Sequence, residues 1–371
     1  MDLLLTILSI PLVQAILKIV AFVLVFVMAT GTVMTLMERK WMSAVQDRIG
    51  PNRADMPFLG GLKARGAFHI LADGLKSIFK EDTVPEGADR FLFTIAPFFA
   101  LVAAMAIWAV IPFAGPWGPV TFQITDLNPG LVFIFAITSL GVYGAVLGGW
   151  SSNNKFALLG SARATSQMLS YEVFLGLSLV GLFMVYGTLQ VGKIVELQNT
   201  YWFGDLVPKW GVITQPLAFV MFFTAMLAEA KRLPFDAPEG ESEIIAGYFL
   251  EYSGMRYAAF MLAEYVAIVG VAGLTTTLFL GGYHVPWLHA GGFHLLGYVL
   301  PLPAWLVFLL QLGSFVFKVI ALCWFVIIIR WTVPRFRFDQ IMDLGWKKML
   351  PVALANVVIT GLVLLAWDWL A

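Results

Sequence analysis

Long apolar segments separated by short polar loops limit the fold of this sequence more than any other feature. Each of the eight segments is close to the length of about 20 residues that a helix needs to cross a hydrocarbon core about 30 Å thick. Only 12% of the 371 residues are charged, whereas soluble domains carry about 25%. We predict an all-α polytopic membrane protein with one membrane domain over 1–371 and spans near 10–37, 91–112, 130–150, 166–186, 212–229, 255–280, 303–329 and 350–369.

Lysine and arginine are distributed unevenly between the loops that join these spans. Two of them lie in the loops 113–129, 187–211 and 281–302, and nineteen lie in the loops on the other side. The positive-inside rule places the basic loops in the cytoplasm or matrix, so both termini are predicted to lie outside. The basic loops are 38–90, 151–164, 230–254 with Arg256 just inside the next span, and 330–349.

The first basic loop contains a segment that is too short and too charged to span. In 66–80 the apolar residues recur at helical spacing, with polar residues between them. This pattern predicts an amphipathic helix lying at the membrane surface. Such a helix either braces the bundle or forms a portal for a lipid-like ligand. Its apolar residues are Phe68, Leu71, Leu75, Ile78 and Phe79.

Several kinds of chemistry are excluded by the residues present. The sequence has no Walker A loop and no dinucleotide-binding fingerprint, and its single cysteine, Cys323, rules out a cysteine-ligated cluster. No histidine lies in a predicted span, which excludes a haem held between transmembrane helices. The outer-loop histidines His284, His289 and His294 follow no known metal-ligand spacing and are expected to be ordinary loop residues. We therefore expect no redox cofactor and no metal in this chain.

Carboxylates in or beside the spans are the strongest functional signal. Glu172 lies in the fourth span, Glu229 closes the fifth and Glu264 lies in the sixth. Acidic residues in membrane helices are costly, and closely spaced carboxylates can share protons. The segment from Glu229 to Glu264 favours a proton relay, the alternative being acids neutralised by arginines or wetted at the interface. Its seven acids face three bases: Glu229, Asp236, Glu239, Glu241, Glu243, Glu251 and Glu264 against Lys231, Arg232 and Arg256.

Two lysines lie within predicted spans. Lys18 is about two turns from the outer end of its helix, so its side chain is expected to extend outward. Lys318 lies in the middle of the seventh span and needs an internal partner. Either Glu172 or Glu264 is a candidate for that partner.

Long motifs in the inward loops resemble those of one known family. In chain order they are ERKWMSAVQDRIGPNR at 38–53, ADGLKSIFKED at 72–82, GWSSNNKFALLGSARATSQMLSYEV at 149–173, AEAKRLPFDAPEGESEIIAGYFLEYSG at 228–254, LAEY at 262–265 and PRFRFDQIMDLGWK at 334–347. On these residues the chain resembles the H subunit family of bacterial NADH-quinone oxidoreductase, respiratory complex I, which includes the mitochondrial NADH dehydrogenase subunit 1. The resemblance covers most of the chain. The sequence departs from the family in a longer stretch at 54–65 and in Lys231, where asparagine is usual.

The resemblance implies a subunit of an NADH:quinone oxidoreductase that translocates protons across a bacterial plasma membrane. The subunit would bind no redox centre itself, take quinone as its substrate and rely on NADH, FMN and iron–sulfur clusters in partner subunits. Its partners would be cluster-bearing and antiporter-like subunits. The family's buried acids of the proton path fall on Glu172, Glu229, Glu251 and Glu264. The tunnel lining falls on Arg39, Arg48, Asp73, Lys76 and Arg232, with Glu239, Glu241 and Glu243 in the adjoining loop and Arg335, Arg337 and Asp339 facing the peripheral arm.

Three other functions are consistent with parts of the pattern. The equivalent subunit of a membrane-bound hydrogenase or of a dehydrogenase with another donor shares the scaffold, but the QDRIGPNR segment favours a quinone reductase. A secondary transporter usually has matched broken helices in two halves, and the sequence has no such pair. A purely structural anchor for an enzyme arm predicts that the buried acids are dispensable.

Overall fold

The computed structural model describes residues 11–55, 64–117, 120–202, 207–238, 247–289, 291–295 and 298–370. Among these residues, seven helices are long and apolar enough to cross a membrane, which confirms the predicted polytopic helical fold. They are α1 Leu12–Val45, α3 Arg90–Val110, α4 Gly130–Ser151, α5 Lys155–Tyr186, α8 Gly254–Phe279, α9 Ala304–Thr332 and α10 Phe338–Trp369. The shorter helices are α2 His69–Phe79, α6 Val191–Gln198 and α7 Pro216–Glu229.

The span predicted at 212–229 corresponds to the short helix α7. This apolar helix has 14 residues and follows a separate helix of four residues, Gly211–Thr214. At 1.5 Å per residue α7 is about 21 Å long, which is less than the hydrocarbon thickness of about 30 Å. The two helices together cover the predicted segment, with a break at Gln215.

Three helices extend further on the basic side than the predicted spans. α1 continues to Val45 rather than ending at 37, α5 begins at Lys155 rather than at 166, and α10 begins at Phe338 rather than at 350. The added turns contain lysine, arginine, glutamate, glutamine and methionine, which favour helix in water as well as in lipid. A hydropathy window detects only the apolar part of such a helix. Two π-helical stretches, Ile19–Val27 and Leu344–Met349, interrupt the regular geometry of α1 and α10.

Local signals at the helix ends agree with the observed boundaries. Asp89 Oδ1 accepts hydrogen bonds from the first-turn amides of α3, at 3.0 and 3.1 Å. Asn154 Oδ1 accepts one from Phe156 N at 2.8 Å and begins α5. Gly187, with a φ of 66°, ends α5 in the left-handed conformation that glycine adopts without strain. These caps satisfy backbone groups that a helix end leaves unpaired.

The helices pack around α8, which is the most deeply buried spanning helix of the described part. α3 and α4 pack closely because Gly144 faces Ala100, where an added Cβ would lie 2.8 Å from the Ala100 Cβ. Small residues allow membrane helices such close approach. An aromatic group near the end of α3 closes the predicted outer side of the core, with Phe113 stacked on Trp108 and on Phe22.

The described strands are short and lie in the loops predicted to be outside. β1 Tyr201–Trp202 pairs antiparallel with β2 Val207–Pro208. β3 Leu288–His289, β4 Gly292–Leu295 and β5 Tyr298–Pro301 form an antiparallel sheet in the order β3-β4-β5.

The two lysines within the spans bond to oxygen atoms of the outer loops. Lys18 Nζ donates to the Gln123 carbonyl at 3.0 Å and lies 3.3 Å from Thr121 Oγ1, as expected for a side chain that extends outward. The expectation that Lys318 pairs with Glu172 or Glu264 is not met. Its ammonium group donates instead to three backbone carbonyls of residues 280, 282 and 284, at 2.8, 3.0 and 2.7 Å. These carbonyls follow α8, so Lys318 caps that helix.

Candidate functional site

A buried group of charged side chains lies on the basic side of the bundle. Arg232 is at its centre: its Nε lies 2.6 Å from Glu264 Oε1, and its Nη1 lies 3.4 Å from both carboxylate oxygens of Glu38. Arg330 forms a second ion pair with Glu38, and Tyr265 Oη donates to Glu38 Oε2 at 2.8 Å. We call these five residues the ion cluster. Two carboxylates face two guanidinium groups there, in keeping with the rule that buried charges are paired.

The loop after α7 brings Arg232 into this cluster. Lys231 has a positive φ of 53°, and the chain turns there immediately after the helix. The buried side chain of Gln167, in α5, donates to the carbonyls of Ala228 and Phe235 at 2.8 and 2.7 Å. Both ends of the turn are thereby tied to α5. As a result, Lys231 bonds to Tyr248 while the next side chain, Arg232, reaches the acids.

Two cavities lie on either side of Glu264 and Lys231, and both residues line both cavities. The first cavity, of about 80 Å³, is also lined by Glu229. The second, of about 50 Å³, is also lined by Arg232 and Arg330. Each is large enough to hold water between polar groups. Together they connect the end of α7 to the ion cluster.

The predicted acids Glu229 and Glu172 lie on the α7 side of the first cavity. Glu229 Oε2 is buried and has no hydrogen-bond partner among the described residues. Glu172 accepts a hydrogen bond from Ser139 of α4. The two carboxylates are close enough to repel each other electrostatically, and Lys231 attracts Glu229. The structure therefore brings Glu172, Glu229 and Glu264 into one region.

The fourth predicted acid lies elsewhere. Glu251 is in the loop before α8, where its Oε1 accepts a hydrogen bond from Asn154 Nδ2 at 2.6 Å. Asn154 also caps α5, so Glu251 holds the start of that helix. Glu251 does not line either of the two cavities described above. Its surroundings support a structural contact more directly than membership in the same acid group.

The residues predicted to line the tunnel separate into three places. Arg39 pairs with Asp73 of the surface helix α2, and Lys76 Nζ lies 3.8 Å from Asp73 Oδ1. Arg48 bonds to the neighbouring Gln46 at 2.8 Å on the exposed surface. Arg232 belongs to the ion cluster. The predicted loop residues Glu239, Glu241 and Glu243 lie outside the described residues.

The segment predicted to face a peripheral arm lies on the basic side. Arg335 Nη2 bonds to Asp236 Oδ2 at 2.8 Å, which joins this segment to the loop after α7. Arg337 and Asp339 are exposed and pair with each other at 3.0 Å. Within the described residues, no group of three histidine, cysteine or acidic side chains is placed to hold a metal ion.

Glu38, Arg330 and Tyr265 are the cluster members that sequence reasoning missed. Glu38 stands directly before Arg39 in the motif beginning ERK, and Arg330 enters the sequence argument only as a basic residue of an inward loop. Successive helix positions point about 100° apart, so Glu38 and Arg39 can contact different groups. The available signal was an acid at the apolar end of a span, which requires a buried positive partner.

These features define a class: a polytopic helical membrane protein with a buried ionic cluster and acid-lined cavities reaching into its bundle. Sequence comparison then identifies the family. Residues 17–361 match the family described as NADH dehydrogenase, and the chain belongs to that family, which confirms the resemblance inferred from its motifs.

Curated relatives match nearly the whole chain, and each is named as an H subunit of NADH-quinone oxidoreductase. The relative from Geobacter metallireducens, the first of two such subunits in that organism, is 43% identical over 93% of this chain and 95% of its own length. A relative from Cytophaga hutchinsonii is 41% identical, covering 88% of this chain and 90% of its own. The relative from Leptospira biflexa is 40% identical and covers 93% of each chain.

Proposed function

We propose that this chain is the membrane subunit of a proton-pumping NADH:quinone oxidoreductase in a bacterial plasma membrane, where it admits quinone and begins the proton path. The names of its relatives support the enzyme, and the buried charges support the role of the subunit. NADH, FMN and iron–sulfur clusters would be bound by cluster-bearing partner subunits, and the protons would pass on to antiporter-like partners. The contribution of this chain is then to position quinone and to hold or move protons.

The observation that carries the proposal is the pair of cavities that share Glu264 and Lys231. A proton on Glu229 can reach Glu264 through water in the first cavity, and the second cavity adjoins the arginines of the ion cluster. Because Arg232 and Arg330 stabilise negative charge, they favour the ionised form of the acids beside them. A change of charge at the cluster would therefore alter the proton affinity of Glu264 and, through Lys231, of Glu229.

The surface helix α2 supports the proposed quinone entrance. Its residues Leu71, Leu75, Ile78 and Phe79 are all more than half exposed in the isolated chain, and this apolar face is suited to contact with lipid. Asp73 on the same helix pairs with Arg39 of α1. An apolar ligand arriving from the bilayer would meet the apolar face first and the ion pair next.

Replacing Glu229 by glutamine is the sharpest test of the proton path. Because Glu229 Oε2 has no hydrogen-bond partner in the described part of the chain, the change removes a titratable proton and breaks no hydrogen bond at that atom. We expect assembly to be normal, with NADH-driven proton uptake by membrane vesicles reduced by about tenfold or more, as for loss of a positioned acid–base group. Glu86→Gln, at an exposed site on the same side, is the matched control and should pump normally.

The result separates the proposal from a purely structural anchor. Normal pumping by Glu229→Gln, with assembled complex verified by native gel electrophoresis, would contradict the relay. Glu172→Gln should also lower proton uptake, with the pH dependence of turnover shifted, because interacting acids titrate as a group.

A further inference from the structure

A second, larger cavity lies far from the ion cluster, at the end of the bundle predicted to be outside. Its volume is about 690 Å³, and it is bounded by the end of α5, the start of α7 and the outer half of α10. Volumes of about 300–1,000 Å³ are typical of small-molecule sites. The walls are mostly aliphatic, with Leu217, Ile359 and Val363 among them.

The depth of this cavity corresponds to one leaflet of a bilayer. Along α10 its lining runs from Asn356 to Trp367, which are eleven residues apart, or about 16 Å at 1.5 Å per residue. Half of a hydrocarbon core is about 15 Å. A helix from a partner would cross both leaflets, so a space of this depth fits an acyl chain better than a transmembrane helix.

The inner end of the cavity requires no polar ligand. Gln215 Nε2 lies 3.0 Å from Thr360 Oγ1, and Asn356 Nδ2 donates to Gln215 Oε1 at 3.2 Å. Their polar groups are therefore satisfied by each other, and the end of an acyl chain can lie against them.

The outer end carries the groups that recognise a lipid phosphate. Lys209 lines the cavity mouth, and its ammonium group lies 5.9 Å from the ring centroid of Trp202. Only Lys193 and Lys209 are basic among the residues of the predicted outer loops. Trp202, Trp367 and Tyr186 surround the mouth, and tryptophan and tyrosine are enriched at the level of the lipid headgroups. A cation among these rings complements a phosphate at that level.

We propose that this cavity binds one phospholipid of the outer leaflet that carries net negative charge, with an acyl chain along α10 and its phosphate on Lys209. The site is separate from the proposed quinone entrance and proton path, which lie on the basic side. Bound lipid would fill the space between α5, α7 and α10 and would join the break at Gln215 to the outer surface.

The test uses the whole purified complex in vesicles that contain photoreactive phosphatidylglycerol, with a diazirine on the acyl chain. Mass spectrometry of the irradiated complex should find lipid attached to cavity residues such as Ile359 and Val363. Labelling by phosphatidylcholine with the same chain should be about fivefold weaker, from about 1 kcal/mol per lysine near a membrane surface. Lys209→Gln should reduce phosphatidylglycerol labelling to the phosphatidylcholine level.

Two further variants make the result decisive. Lys193→Gln removes the other outer lysine, which does not line the cavity, and should leave labelling unchanged. Val363→Trp places a ring in the cavity and should reduce labelling by both lipids. Equal labelling by the two lipids with no effect of Lys209→Gln would overturn the proposal. Recovery of a partner-subunit peptide cross-linked at Ile359 in place of lipid would also overturn it.

Discussion

At the scale of single residues, the neighbours Glu38 and Arg39 show how one helical turn serves two places. Glu38 is buried among Arg232, Arg330 and Tyr265. Arg39 extends to the surface helix and pairs with Asp73. Their different directions place the proposed quinone entrance and the ion cluster on adjacent residues of α1. A shift of that helical turn would therefore move both groups together.

Charge balance in the ion cluster leads to a prediction for Glu38. In Glu38→Gln, two buried arginines face only Glu264, and breaking a buried pair costs about 3–5 kcal/mol. We expect a several-fold lower yield of assembled complex on native gels. The double variant Glu38→Gln with Arg330→Gln restores neutrality and should recover part of that yield. A double variant that is worse than Glu38→Gln alone would show that charge balance is not the controlling factor.

At the scale of elements, α2 combines an exposed apolar face with an ion pair to the bundle. Phe68, predicted from spacing to belong to that face, is half-buried and lies just before the helix. Leu75 and Phe79 are better exposed, at 55% and 83%. The face that contacts lipid is therefore formed by the later turns of the helix.

Leu75→Glu is predicted to impair the proposed quinone entrance. The new charge would disfavour insertion of α2 into the interface. We expect the quinone concentration for half-maximal rate to rise by about threefold or more, a factor of three corresponding to less than about 1 kcal/mol. Electron transfer to a hydrophilic acceptor should be retained. Leu75→Met keeps the surface apolar and serves as the matched control; equal loss of both activities in Leu75→Glu would instead indicate a brace.

The loop after α8 is a second element with its own pH dependence. Burial, followed by the charges of Lys318 and His289, lowers the pKa of His284 from 6.5 to about 3. Its ring packs beside Tyr283 at a centroid distance of 4.4 Å. Between pH 6.5 and 3 the open loop binds a proton that the closed loop does not. The closed form is therefore fully stable above pH 6.5 and loses stability as the pH falls.

Opening of this loop is predicted to increase by about thirtyfold between about pH 7.5 and pH 5, or about 2 kcal/mol. The measurement is hydrogen exchange of the 280–289 peptide, corrected for the intrinsic pH dependence of exchange. His284→Gln should remove the effect, whereas His294→Gln on β4 should retain it. The same pH dependence in His284→Gln would assign the effect to another group.

At the scale of the whole molecule, the bundle is asymmetric. The ion cluster and both small cavities lie on the side of the basic loops, and the large cavity and the short strands lie on the other side. The long helices α1, α5 and α10 all extend toward the basic side. Charged turns on that side form a platform on which a peripheral arm can dock, with exposed Arg337 and Asp339 at its surface.

This asymmetry predicts the orientation in the membrane. A reporter fused after Ala371 should be read outside, and one inserted near Asp343 should be read inside, because nineteen basic residues lie in the loops of one side and two in those of the other. Paired activity assays of a periplasmic and a cytoplasmic reporter at both sites measure this. Both positions on one side would contradict the eight-span topology, including the short helix α7.

The sequence by itself determined the helical membrane class and the helices of its spans, because apolar length and basic loops are local properties of the chain. It also pointed to Glu172, Glu229 and Glu264 as costly charges in a membrane. Only the tertiary structure decided their partners. Lys318 bonds to carbonyls of a loop 34 to 38 residues away, and Glu38 meets Arg232 across 194 residues. Such contacts depend on how helices pack in three dimensions, which periodicity and hydropathy do not encode.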